Sequence, residues 1–154
     1  IELAVNIPEQ LPQVGQASAL ALIGHSFLDG VGIGLGFQIG EGVGIAVAIA
    51  VIAHDFSDGL NTVSLMLVHR NSRKKAIMLL VLDALAPVLG ALSTLFFTLN
   101  EATLVVYLGF FAGFLLYIGA SDILPEAHSK HSSKITLLMT VLGALFMFIV
   151  TRFV

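Results

Sequence analysis

Residues 17–37 read ASALALIGHSFLDGVGIGLGF, and residues 42–68 read GVGIAVAIAVIAHDFSDGLNTVSLMLV. Each run is long enough to cross a bilayer, which takes about 20 mostly apolar residues. Each is also broken by a histidine and an aspartate four residues apart: His25 and Asp29 in HSFLDG, His54 and Asp58 in HDFSDG. A charged group at mid-bilayer costs at least about 2.5 kcal/mol even on insertion scales, so such residues face a pathway or a partner. The apolar runs carry the fold, and their two interruptions carry the chemistry.

The pattern extends through the chain. Of its 154 residues 57% are hydrophobic and 11% charged, and the mean hydropathy is +1.00, values that a soluble domain with a polar surface does not readily reach. Five spans are expected, at about residues 17–37, 42–68, 74–98, 102–125 and 134–153, with short connections. Backbone at membrane depth must satisfy its own hydrogen bonds, and the runs lack β-type alternation. The expected fold class is therefore an all-α integral membrane bundle. Residues 1–16, IELAVNIPEQLPQVGQ, hold no Lys or Arg and no apolar signal-peptide core. They read as a lead-in or linker, and the chain is expected to be part of something larger.

Six of the seven basic residues fall in two loops. Arg70, Arg73, Lys74 and Lys75 lie between the second and third spans, and Lys130 and Lys134 between the fourth and fifth. The positive-inside rule makes that side cytoplasmic. The opposite loops hold Glu41 and Glu101 and no basic residue. Five spans then put the N-terminus inside and the C-terminus outside, in a cell (inner) membrane. Cysteine is absent, which excludes disulfides, thiolate metal sites and Cys nucleophiles. No nucleic-acid partner is expected.

Depth counting brings the polar residues together. At about 1.5 Å per residue, His25 and Asp29 lie about 12 and 18 Å from the cytoplasmic start of the first span. His54 and Asp58 lie about 21 and 15 Å from the cytoplasmic end of the second, and Asp83 about 14 Å into the third. Residues at i and i+4 share a helix face, so two antiparallel neighbours can converge into a four-ligand cluster. Imidazole with carboxylate suits Zn²⁺, Fe²⁺, Mn²⁺ or Co²⁺ better than alkali ions. Asp55 points about 100° away from His54 and can serve an adjacent ion. Pro87 removes the amide that would bond the carbonyl of Asp83, leaving a free backbone oxygen at that level. Glycines crowd residues 30–44, with GxxxG spacings at 32/36, 36/40 and 40/44, and small residues let membrane helices approach closely.

HSFLDG and HDFSDG resemble the paired H-N-x-P-E-G and H-N/E-x-P-E-G motifs in the fourth and fifth helices of the ZIP (Zrt/Irt-like) family of divalent metal transporters. RNSRKKA followed by LDALAPVLGAL is similar to the sixth helix, with Asp83 as its acidic residue. GFFAGFLLYIGASDILPEAH resembles the seventh, with its D-x-x-P-E ending. The resemblance covers about residues 17–154 of the chain. It implies a C-terminal portion, helices four to eight of an eight-helix bundle, whose missing N-terminal helices would be partners alongside lipid and a second copy in a homodimer.

Residue by residue, the resemblance implies a binuclear centre. His25, Asp29, His54 and Asp58 would form its first site. Ser26, Asp29, Asp55, Asp58 and Asp83 would form the second, with Asp29 and Asp58 bridging. Ser26 stands where the family usually has Asn, and Asp29, Asp58 and Asp83 where Glu is typical. Each Asp is one methylene shorter, so the helices must sit closer. Leu28 and Ser57 replace the usual Pro. Asp122, Glu126, His128 and His131 are candidates to catch metal at a cytoplasmic exit.

The expected function is transport of a divalent transition metal toward the cytoplasm by alternating access, with zinc first and Cd²⁺, Fe²⁺, Mn²⁺ or Co²⁺ in the same class. A proton or cation channel built on the carboxylates is one rival. An intramembrane metalloprotease is another, but neither motif supplies the second histidine of HExxH. Enzyme activity is therefore not expected.

Overall fold

The computed structural model describes residues 11–118, 120 and 134–153. Helix α1 spans Pro12–Ile39, α2 Glu41–Val68 and α3 Arg73–Ser93, which runs into a 3₁₀ turn at Thr94–Phe96. Helices α4 (Glu101–Ile118) and α5 (Lys134–Phe153) follow, and no strand occurs among the described residues. α1, α2 and the segment Arg73–Phe96 are each long and apolar enough to cross a membrane.

The helix ends follow local chemistry. α1 begins at Pro12, inside the segment expected to be a lead-in, because proline in the first turn lacks an amide that would be unpaired anyway and already has helical φ. One residue, Gly40, separates α1 from α2: its amide bonds Gly36 O at 3.2 Å, and its carbonyl accepts from Gly44 N at 3.0 Å. α2 ends in a Schellman turn. Asn71 N bonds Met66 O at 2.9 Å and Arg70 N bonds Leu67 O at 3.0 Å, with Arg70 in the left-handed position at φ 58°. Ser72 then caps α3 by accepting from Lys75 N.

α1 is the central element. α2 folds back along it, so that Gly36 lies on Gly44 and Ala19 joins Met66 in a buried cluster with Ala76 and Leu79. α3 runs parallel to α1, and here the backbones meet. A Cβ on Gly30 would strike the Pro87 carbonyl, one on Gly90 would strike Phe27 O, and one on Gly34 would strike Thr94 Oγ1. The closest approaches to α3 therefore use Gly30 and Gly34. Of the expected GxxxG positions, Gly32 faces Phe111 and Gly40 faces open space, because the choice of face depends on which neighbour docks there.

Polar clasps fix both ends of this three-helix unit. At one end Gln16 Nε2 donates to Asn71 Oδ1 at 2.8 Å, and Asn71 Nδ2 donates to Pro12 O at 3.0 Å. At the other, Gln38 Nε2 donates to Thr94 O and Phe97 O at 3.1 and 2.9 Å, and Gln38 Oε1 accepts from Leu99 N at 3.3 Å. Between the clasps the usual distribution is inverted. Large apolar side chains such as Phe56, Leu95 and Phe110 face outward, while Ser26, Asp29, Thr62 and Asp83 are buried. A water-soluble fold would not place them so; lipid as the solvent does.

These contacts make a graded prediction. Gly90→Ala should lower the thermal stability of the purified protein in detergent by about 1–3 kcal/mol, the usual cost of overpacking. Gly24→Ala, where a Cβ meets nothing within 4 Å, should lower it little. Equal melting temperatures for the two variants would show that α1 and α3 do not touch at Gly90.

Candidate metal centre

The antiparallel pairing of α1 and α2 brings the two His/Asp pairs into one ring. His25 Nε2 lies 3.4 Å from Asp29 Oδ2 and 4.0 Å from Asp58 Oδ2. His54 Nε2 lies 3.1 Å from the same Asp29 oxygen and 3.9 Å from Asp58 Oδ2. All four ligand atoms fall within 4.8 Å of one another. A tetrahedral ion with bonds of about 2.0–2.2 Å needs donors roughly 3.3–3.6 Å apart, and the four separations bracket that length.

The hydrogen bonds around the ring fix the orientation of His54. His54 Nδ1 is 2.9 Å from Ala50 O. A carbonyl only accepts, so Nδ1 carries the proton and Nε2 faces the carboxylates. Only a proton or a metal ion between Nε2 and Asp29 makes that contact favourable. Fixing the far nitrogen on a carbonyl is also how metal-binding imidazoles are held. Asp29 is fully buried, yet its Oδ1 has no hydrogen-bond partner among the described residues, and neither does Asp58 Oδ2. Buried oxygens of a carboxylate are costly to leave bare, and at Asp58 Oδ2, which faces both imidazoles, a cation in the ring would meet that need.

A second group lies beside the first. Asp83 on α3 is buried, and both of its oxygens accept: Oδ1 from Ser26 Oγ at 2.8 Å, Oδ2 from Thr62 Oγ1 at 2.9 Å. Ser26 Oγ also lies 3.1 Å from Leu22 O, so its one proton has two acceptors. Ser26, Asp83 and Asp55 share a cavity of roughly 440 Å³ between α2 and α3, with Phe56, Leu60, Val63 and Leu80 in its walls. The seven expected ligands thus fall into a histidine ring (His25, Asp29, His54, Asp58) and an oxygen-lined cavity (Ser26, Asp55, Asp83). Asp122, Glu126, His128 and His131 lie outside the described residues. His69 Nδ1 bonds Leu65 O at the end of α2, one turn back along the chain.

Sequence reasoning passed over Thr62. The signal was present, because His54, Asp58 and Thr62 continue one stripe at intervals of four residues. A threonine in an apolar helix commonly bonds its own backbone instead.

A family model described as ZIP zinc transporter matches residues 8–151. The chain belongs to the ZIP family. No curated protein and no solved structure matches it. ZIP proteins are transporters of divalent metal, and this member brings two His/Asp pairs close enough together to hold an ion.

Metal should therefore stabilise the protein. Zn²⁺ or Cd²⁺ at a hundred times its dissociation constant should add about 2.7 kcal/mol, read as a rise in melting temperature. The rise should shrink as pH falls, since imidazole and carboxylate bind metal only when deprotonated. Asp29→Asn should abolish it; a full metal-dependent rise in that variant would remove Asp29 from the ligand set.

Proposed function

We propose that this ZIP protein carries zinc toward the cytoplasm, with His25, Asp29, His54 and Asp58 holding the ion at mid-membrane. The observation that carries the proposal is the ring itself, in which two imidazoles and two carboxylates converge and the buried Asp58 Oδ2 has no donor among the described residues. Zinc leads because a borderline ion suits mixed nitrogen and oxygen donors, while Cd²⁺, Fe²⁺, Mn²⁺ and Co²⁺ fit the same donor class. Ser26, Asp55 and Asp83 form a neighbouring oxygen-donor station, and Asp29 and Asp58 bridge to it.

The chain corresponds to helices four to eight of an eight-helix bundle, with five spans in a cell membrane, and the bundle pairs as a homodimer. The direction rests on the basic residues that flank the second connection, Arg70, Arg73, Lys74 and Lys75, which orient it toward the cytoplasm. Rocking of helix groups around the fixed site would expose the ring first to one side and then to the other. Asp122, Glu126, His128 and His131 receive the ion at the cytoplasmic exit.

Two measurements test this reading. In proteoliposomes of the full-length transporter, His54→Ala should reduce zinc uptake at least tenfold, as expected for the loss of one of about four ligands. Undiminished uptake would sink the assignment. Crystals grown with cadmium should give an anomalous peak between α1 and α2, and a peak elsewhere with none in the ring would do the same.

A further inference from the structure

Asp83 is a buried carboxylate with two neutral donors. No salt bridge reaches it among the described residues, and the nearest space, the cavity between α2 and α3, holds a second carboxylate, Asp55. Hydroxyls solvate such a charge without cancelling it. The two donors are not equivalent. Ser26 lines the cavity alongside Asp83, whereas Thr62, at 0% exposure, is not among the residues of its walls and donates to Oδ2. The carboxylate is therefore held at one oxygen by a group in the cavity and at the other by a group outside it. Each carboxylate oxygen has a further lone pair, so the clamp aims Asp83 at the cavity without closing it to a cation.

We infer that Thr62 is a positioning residue for the second metal station: its hydroxyl fixes the Asp83 carboxylate so that it, with Asp55 and Ser26, can hold a divalent cation in the cavity. This rests on the metal reading of the cluster given above. The geometry is that of an outer donor orienting a ligating carboxylate, whose loss ordinarily weakens metal affinity by 10–100-fold. Thr62 also ties α2 to α3 at the level where Ser26 ties α1 to α3. An ion that binds Asp83 thus acts on the same hydrogen bonds that join all three helices.

The test is a two-site cadmium titration of the purified full-length transporter by calorimetry, with cadmium content confirmed by elemental analysis. Wild type should take two ions. Thr62→Val, which keeps the shape and removes the hydroxyl, should weaken the second ion by 10–100-fold and leave the first within about twofold. Thr62→Ser should restore the second ion, which a purely packing role for the threonine methyl would not do. The first ion reports in the same titration that the variant is folded and that the ring is intact. Two ions of unchanged affinity in Thr62→Val, or one ion in wild type, would overturn the role of Thr62 while leaving the ring standing. No ion in wild type would overturn the metal reading as well. If Thr62→Val fails to fold, Thr62→Ser against Thr62→Ala decides: equal second-ion affinities in that pair would overturn the role.

Discussion

The negative charge carried into an apolar bundle is the constraint on which the rest of the structure depends. Asp29, Asp55, Asp58 and Asp83 lie on three helices whose outer faces are leucine, isoleucine, valine and phenylalanine. No lysine or arginine among the described residues comes within ion-pair distance of them. The partners at hand are two histidines and two hydroxyls, and these sort the carboxylates. Asp29 and Asp58 meet imidazole, and Asp83 meets Ser26 and Thr62. That division separates a ring with nitrogen donors from a cavity with oxygen donors alone.

Short side chains make the backbone part of the same problem. An aspartate reaches one methylene less far than a glutamate, so a ring built on aspartates needs its helices close together. Gly36 on Gly44 supplies that closeness between α1 and α2, which carry the ring, and two further glycines do the same between α1 and α3, which carry Ser26 and Asp83. Gly30 lets α1 rest on the Pro87 carbonyl one residue after Asp29, and Gly90 accepts the Phe27 carbonyl from the same turn. Pro87 acts twice here. It interrupts the α3 hydrogen-bond ladder near Asp83, and its own carbonyl forms the floor against which Gly30 packs. Packing and charge are thus coupled within a few residues: a methyl group at Gly30 or Gly90 would displace the helices that set the distance between Ser26 and Asp83.

Much of this could be read from the sequence, because helix period and span length are local quantities. The spacing of His25 from Asp29 and of His54 from Asp58 put each pair on one face, and counting residues from the span ends put them at one depth. A single glycine between α1 and α2 then leaves antiparallel pairing as the outcome. The choice of neighbour was less legible. Nothing in one sequence says that α3 docks on the 30/34 face of α1 while Gly36 takes α2 and Gly32 takes Phe111, since that depends on complementarity between surfaces far apart in the chain. Thr62 escaped for a related reason. Its hydroxyl acquires meaning only when α3 brings Asp83 to it.

The two groups differ in chemical softness, and this bears on how an ion leaves. A divalent ion held in the ring would have imidazole as well as carboxylate donors, whereas one held in the cavity would meet only oxygen. Borderline ions prefer the mixed set, so under the proposed reading affinity would be lower in the cavity than in the ring. If Thr62 holds that weaker station in register as proposed, the station would suit brief occupancy on a path, because conduction requires binding weak enough to release.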